Sequence, residues 1–358
     1  MSRQIKYWDQ LDSLRTIAII MTLLLHFVLD LWGYEIPYMT LGVDLFFCLS
    51  GFLITSILLK TKEYSVNTGH PLTIIKNFII KRALRLFPIY YLYLTFFLIL
   101  FWIGMDIGGA GDMKYFYTYT TNILIYYDGW RSKLFNHLWS LSVEEQFYLI
   151  WPWIVVFTNP KQLKYILFTI ILIGLFLHGF NDQEFFRMLL PANFHTLGTG
   201  ALLGYIMTFH KEQHYFEALA RNSRKIVYFL LPAFVIYLVV FYQNNALPGL
   251  ISSVREVLLC FTAFFLILST VEGWEGSVFN SFFSNKQMQY IGRISYGVYL
   301  YHKPIPVLGK MVLLKLGLAS ISPFFLFGLY TVITIIVASI SYKYIEMPFL
   351  NLKKKFDN

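Results

Sequence analysis

Arg15 and His26 stand eleven residues apart in the apolar stretch LDSLRTIAIIMTLLLHF. On a helix that interval is close to three full turns, so the two side chains share a face and lie about 16 Å apart along the axis. A guanidinium at one end suits an anion, and an imidazole at the other, with its pKa near neutrality, suits proton transfer. The plainer alternative has Arg15 snorkelling to lipid headgroups and His26 bonding a neighbouring helix. Ionisable groups at membrane depth are costly and tend to line cavities, so further groups of that kind at compatible depths favour chemistry.

Other apolar segments supply them. GVDLFFCLSGFLIT sets Asp44, Cys48, Gly51 and Thr55 on one small, polar helix face; close helix packing accounts for Gly51 and Thr55 but not for a carboxylate. In HLWSLSVEEQFYLIWP the adjacent acids Glu144 and Glu145 point about 100° apart, so one of them faces inward. Glu145 is the preferred inward residue, and the other fits a first-turn acid favoured by the helix dipole. GRISYGVYLYHKP aligns Ser295, Tyr299 and His302 on one face at i, i+4 and i+7, compatible with catalysis or with interhelical bonding. KRALRLFPIYY places Arg82 and Arg85 on adjacent turns beside Lys81, either as a basic membrane flank or as a phosphate site for two planar guanidinium groups.

These residues need helices in a bilayer to hold them. The chain has 358 residues, 57% hydrophobic and only 14% charged, which is too apolar for an ordinary soluble domain. Apolar runs fall near 13–31, 40–59, 86–105, 139–158, 162–179, 192–209, 226–243, 250–271, 291–309 and 323–345, so the expected fold is an all-α polytopic bundle of about ten transmembrane helices. The first run has a basic flank like a signal peptide, yet it carries Arg15 and His26 and no small-residue cleavage site follows, so it reads as a retained helix. If the N-terminus is inside, nineteen Lys and Arg residues fall in cytoplasmic loops and tails, and only Lys114, Arg131, Lys133, Arg187, Lys310 and Lys315 fall outside. That bias places both termini in the cytoplasm, and it explains the net charge of +9 without nucleic acid. The lysines near Lys354 suit an anionic lipid surface. No internal repeat or linker divides the chain, so residues 1–358 read as one membrane domain. The longest outer connection, about 106–138, is rich in Tyr and Gly and suited to covering an outward-facing pocket. Cys48 and Cys260 sit in separate apolar segments without a CxxC, so they signal neither a disulfide framework nor a metal site.

Six segments, in order, resemble the acyltransferase-3 family of integral membrane enzymes that acylate surface polysaccharides and related sugars: LDSLRTIAIIMTLLLHF, GVDLFFCLSGFLIT, KRALRLFPIYY, HLWSLSVEEQFYLIWP, GRISYGVYLYHKP and SYKYIEMPFL. The resemblance runs from about residue 11 to 350 and is far more specific than any one segment. It implies an acyl-coenzyme A donor as co-substrate, with no tightly bound cofactor, and an O-linked acyl product. It also implies essential roles for Arg15, His26, Arg82, Arg85 and one glutamate of the VEEQ segment. Some relatives add an extracytoplasmic esterase-like domain; the chain stops just after the membrane core, so that domain is expected to be absent or supplied by another protein.

The resulting expectation is acetyl transfer from cytoplasmic acetyl-coenzyme A to a hydroxyl of a bacterial surface glycan or its lipid-linked precursor, within the cytoplasmic membrane. Arg15, Arg82 and Arg85 would hold donor phosphates. His26 would accept the hydroxyl proton, oriented by Glu145 or Asp44. Two other classes fit the same residues: a transporter or flippase with a buried proton or substrate path, and an acyltransferase acting on a small cytoplasmic molecule such as a macrolide.

Overall fold

A computed structural model describes residues 8–33, 40–64, 70–105, 108–181, 183, 185–241, 248–318 and 321–356. Arg3 and Lys6, counted above among the cytoplasmic cations, lie outside these residues, as do positions 106–107 of the outer connection. Every regular element among the described residues is helical. The first three helices are α1 (Asp9–Trp32), α2 (Leu41–Tyr64) and α3 (Pro71–Trp102). Two short helices, α4 (Met113–Tyr117) and α5 (Thr121–Asp128), lead to α6 (Trp139–Phe157). Next come α7 (Pro160–Phe180), α8 (Phe194–Phe209), α9 (His214–Phe241) and α10 (Pro248–Glu272). The chain then breaks into α11 (Asn280–Phe283), α12 (Lys286–Arg293), α13 (Ser295–Tyr301) and α14 (Pro304–Lys315). It ends with α15 (Pro323–Ser341), a π-helical turn over Tyr342–Glu346, and α16 (Met347–Leu352).

Local sequence explains several helix ends. Pro71, Pro160, Pro304 and Pro323 open their helices, where a missing N–H costs nothing. The side chain of Asn159 accepts from the Gln162 amide and caps α7, and Asn285 does the same for α12. Gly33, at φ 71°, closes α1 in the left-handed conformation.

Seven helices among the described residues are long and apolar enough to cross a membrane: α1, α2, α3, α7, α9, α10 and the continuous α15–α16 segment. The other three expected spans also form helix, but not as long apolar rods. Run 139–158 is α6, which carries Glu144 and Glu145; run 192–209 is the 16-residue α8; run 291–309 is divided among α12, α13 and α14. These three departures coincide with the polar interior. α8 is buried on nearly all sides, so it needs neither amphipathicity nor full membrane length to be stable.

Close approach of helix backbones builds the bundle. A Cβ on Gly200 would stand 1.8 Å from the Cys48 carbonyl oxygen, and one on Gly51 would stand 2.0 Å from that of Leu197, so α2 and α8 touch backbone to backbone. Gly204, one turn beyond Gly200, continues the seam against Phe52 and Ser56. The same device joins α12 to α1, where a Cβ on Gly292 would meet the Asp12 carbonyl at 1.7 Å. Small residues let dispersion contacts and weak hydrogen bonds hold helices where lipid supplies no hydrophobic drive. Tyrosines tie the outer connection to α3: Tyr90 Oη donates to the Phe116 carbonyl at 2.8 Å and Tyr93 Oη to that of Leu134 at 2.9 Å. Tyr119, the one non-glycine residue at positive φ (53°) among the described residues, is stacked on Tyr90 at 4.2 Å.

Gly200→Val is expected to force α2 and α8 apart and destabilise the protein by about 3 kcal/mol or more. Gly328→Ala, on α15 with open space around it, is expected to leave the melting temperature within about 2 °C. Detergent-solubilised melting curves of both variants check this, and equal melting temperatures would contradict the close α2–α8 contact.

Candidate active site

The helix arrangement gathers Arg15 from α1 and Arg82 and Arg85 from α3 around one chamber. Glu144 and Tyr148 of α6, with Ser295 and Tyr299 of α13, complete its polar wall. Two of the cations are held by neighbouring side chains. Arg15 Nη1 lies 2.5 Å from Asp12 Oδ1, and the Arg82 guanidinium sits over the rings of Phe78 and Tyr148 at 5.5 and 5.2 Å. The carboxylate of Glu144 accepts from Ser50 Oγ at 2.7 Å and from Tyr148 Oη at 3.1 Å, within electrostatic reach of Arg82 and Arg15. Glu145 does not line the chamber; it lies behind its wall, within electrostatic reach of Arg82, Tyr90, Tyr91, Tyr119 and Tyr296, with Oε1 buried and unpartnered. One acid of the pair does face the cavity, but it is Glu144 and not the expected Glu145.

Asp44 is also displaced from its expected place. Its charged neighbours are Glu256 and Arg255 of α10, whereas those of His26 are His302, Lys303 and His137. Neither Asp44 nor Glu145 meets His26, so the carboxylate-oriented imidazole expected from the sequence is not what the fold builds. Packing sets the roll of each helix, and that roll turns Asp44 toward α10 and away from His26.

His26 instead belongs to a group of three imidazoles. Its ring lies 4.9 Å from that of His302, which in turn lies 5.0 Å from that of His137. His302 Nδ1 is 2.5 Å from the Tyr299 carbonyl, so Nδ1 carries the proton and a neutral ring leaves the Nε2 lone pair open. His302 Nε2 and His26 Nδ1 are buried without a protein partner, and the buried His137 ring lies beside the Leu300 backbone. His26 and His137 face a second, larger cavity whose rim includes Asp30, Trp130, Lys133, Lys303 and Lys310. Lys303 Nζ pairs with Asp30 at 3.2 Å. The 106–138 connection supplies Trp130, Lys133, Asn136 and His137 to this cavity, consistent with its expected place over a pocket.

Only a thin polar wall separates the two cavities. Ser140 and Tyr299 line the arginine chamber; Tyr299 Oη lies 2.6 Å from Ser140 Oγ and donates to the His137 carbonyl at 2.8 Å. Ser295, Tyr299 and His302 therefore act on one continuous face, as their spacing predicts, with Ser295 and Tyr299 in the first chamber and His302 behind the wall. Along α1 the two cavities meet opposite ends, Arg15 and His26.

Ser50, Ser140, His137 and Lys303 were not singled out from the sequence, although His137 and Ser140 lie inside the quoted HLWSLSVEE segment. A buried group made of His178, His195, Arg255 and Glu256 was missed as well. Its members are scattered over 79 positions, and no spacing rule links them.

An integral membrane helix bundle thus holds a basic chamber at one end of α1 and an imidazole-lined cavity at the other, with a polar wall between them. The chain belongs to the acyltransferase-3 family, whose acyltransferase domain it matches over residues 8–343. It is similar to the O-acetyltransferase OatA of Staphylococcus aureus strain NCTC 8325, 29% identical over 96% of this chain and 57% of that protein. The peptidoglycan O-acetyltransferase OatA of Listeria monocytogenes EGD-e is 29% identical over 98% of this chain and 58% of that protein. The chain thus spans less than two thirds of the length of these relatives. No solved structure matches it.

Replacing Arg82 and Arg85 together with lysine keeps both charges but removes the planar forks. If the chamber holds the phosphates of a coenzyme A donor, as the sequence resemblance implies, affinity for coenzyme A falls roughly tenfold, equivalent to about 1.4 kcal/mol, with membrane insertion intact. Calorimetry or a filter-binding assay on the purified variant checks this; unchanged affinity would make the two arginines a basic membrane flank.

Proposed function

We propose that this protein transfers an acetyl group from cytoplasmic acetyl-coenzyme A to a hydroxyl of a surface glycan or its lipid-linked precursor. The carrying observation is that the arginine chamber and the imidazole group meet at Tyr299. Its hydroxyl borders the chamber, its carbonyl accepts from His302, and its ring neighbours His137. Family membership and the names of the relatives support O-acetylation of a surface polymer. The donor and the particular acceptor rest on the chemistry of the two chambers.

In this reading Arg15, Arg82 and Arg85 bind the diphosphate and 3′-phosphate of the donor by charge-assisted hydrogen bonds. Glu144 does not bind phosphate; it holds Ser50 and Tyr148, and Tyr148 supports the Arg82 guanidinium. The pantetheine arm crosses toward Ser140 and Tyr299, which puts the thioester at the wall. An acceptor hydroxyl enters from the cavity holding His26. His26 takes its proton as the oxygen attacks the thioester carbonyl, the C–S bond breaks, and the departing thiolate recovers that proton from the imidazolium. The tilted His302 ring, 4.9 Å away, packs against the His26 ring and restricts its rotation.

His26→Ala is expected to lower acetyl transfer by about a hundredfold to ten-thousandfold. Donor affinity and melting temperature should stay near wild type, because His26 lies about 16 Å along α1 from Arg15. Arg15→Ala should instead weaken donor binding. Turnover, coenzyme A affinity and melting temperature are measured in nanodiscs; near-normal turnover in a folded His26→Ala protein would remove this residue from the chemistry.

A further inference from the structure

The cavity that holds His26 carries more positive charge than its own residues neutralise. Lys133, Lys303 and Lys310 line it, and Asp30 is the one acid among the described lining residues. That acid is already engaged, since Lys303 Nζ lies 3.2 Å from its carboxylate. Lys133 and Lys310 make no ion pair or hydrogen bond among the described residues, and Lys133 stands within electrostatic reach of Lys303, cation facing cation. Like charges gathered at one mouth repel each other and raise the local concentration of an anion.

Neighbouring cations are treated differently. Arg131, two residues before Lys133, lines neither cavity and pairs with both Asp112 and Asp128 at 3.2 Å. The fold thus neutralises an outer cation that borders no cavity and leaves two lysines bare at this one. On the topology expected from the charge bias, this cavity opens on the side where Lys and Arg are scarce, so membrane insertion does not account for them. The cation types differ as well: the donor chamber is lined by arginines and no lysine, the imidazole cavity by lysines and no arginine.

The lining changes character along α14. Lys303, in helical conformation just before that helix, and Lys310 are seven residues apart, so they share a face and stand about 10 Å apart along the axis. His302, next to Lys303, carries the ring that packs against His26. Past Lys310 the wall turns apolar: Leu314, Leu318 and Leu326 line it, and Leu314 and Leu318 are more than half or about half exposed, at 58% and 50%. Imidazoles, lysines and a hydrocarbon-compatible wall therefore follow one another along a single cavity.

We infer that the acceptor taken by this cavity is a sugar joined through phosphate to a membrane lipid, with the phosphate between Lys133 and Lys310, the lipid chain along Leu314 and Leu318, and the acylated hydroxyl at His26. The inference rests on the reading of this cavity as the acceptor site and narrows it. Lysine is a compact point charge on a flexible stem, which lets the phosphate be held while the sugar adjusts to the imidazole. Lys303, tied to Asp30, serves to fix the rim.

The test uses the full chain in phosphatidylcholine nanodiscs and a radiolabelled probe, N-acetylglucosamine linked through diphosphate to farnesol. Wild type should bind the probe saturably, and more weakly as salt rises. Lys133→Ala and Lys310→Ala, each with the melting temperature and coenzyme A affinity of wild type, should each weaken probe binding about tenfold. Lys310→Arg should retain it. N-acetylglucosamine 1-phosphate, which has the charge without the lipid, and farnesyl N-acetylglucosaminide, which has the lipid without the charge, should each bind wild type at least about tenfold more weakly; these two probes decide the matter even where an alanine variant does not fold. No saturable binding, equal affinity for either truncated probe, or folded alanine variants that bind like wild type would each overturn the inference. Phosphatidylglycerol added to the nanodiscs separates the two sources of a lipid phosphate: displacement of the probe by an equal amount of it would assign the lysines to ordinary anionic lipid and overturn the acceptor assignment. Binding is read without turnover, so failure of the His26 chemistry, seen as turnover persisting in His26→Ala, is distinct from failure at the lysines.

Discussion

An ionisable side chain inside a lipid-embedded bundle has no water to stabilise it, so it must find an opposite charge, a hydrogen-bond partner or a cavity. That constraint organises the interior of this protein. Arg15 is met by Asp12, Glu144 by Ser50 and Tyr148, Lys303 by Asp30, and Glu256 by Arg255 and two histidines. The polar groups are collected into an arginine chamber, an imidazole cavity and one closed cluster, and apolar residues face the lipid between them. A bundle held only by apolar contact would have no reason to group its charges in this way.

Packing and polar placement are two sides of one arrangement. Glycines on α2, α8 and α12 let backbones approach, which fixes the roll of each helix and decides which face turns inward. Breaks in regular helix then release polar groups where they are used. The junction at Ile294, between α12 and α13, starts the helix that carries Ser295 and Tyr299, and His302 follows directly at the end of α13. The π-helical turn ending at Glu346 buries that acid within electrostatic reach of Arg85. Irregular backbone at membrane depth is tolerated where it lines a cavity or is buried in protein, and the α12–α13 junction, beside the chamber-lining Ser295 and Tyr299, satisfies that condition.

Much of this was legible in the sequence. Hydrophobic runs located the helices, and the eleven-residue interval between Arg15 and His26 placed them at opposite ends of one face. The convergence of Arg15, Arg82 and Arg85 followed from depth and from the family resemblance together. What could not be read was rotation. Whether Glu144 or Glu145 faces a cavity, and whether Asp44 looks toward His26 or toward α10, depends on how each helix rolls against its neighbours, and one helix's periodicity is silent on that. The His178, His195 and Glu256 cluster was hidden for a related reason: it draws one residue from each of three helices, so nothing local announces it.

The central claim is that two chambers open toward opposite sides of the membrane and only one holds the donor. Single cysteines at Leu53, lining the arginine chamber, and at Lys310, lining the imidazole cavity, test it with a membrane-impermeant thiol reagent. In inside-out vesicles the Leu53→Cys protein should be labelled and coenzyme A should protect it, while the Lys310→Cys protein should be labelled only in right-side-out vesicles and without protection. Labelling of both positions from one side, or protection of Lys310→Cys by coenzyme A, would contradict the two-chamber mechanism.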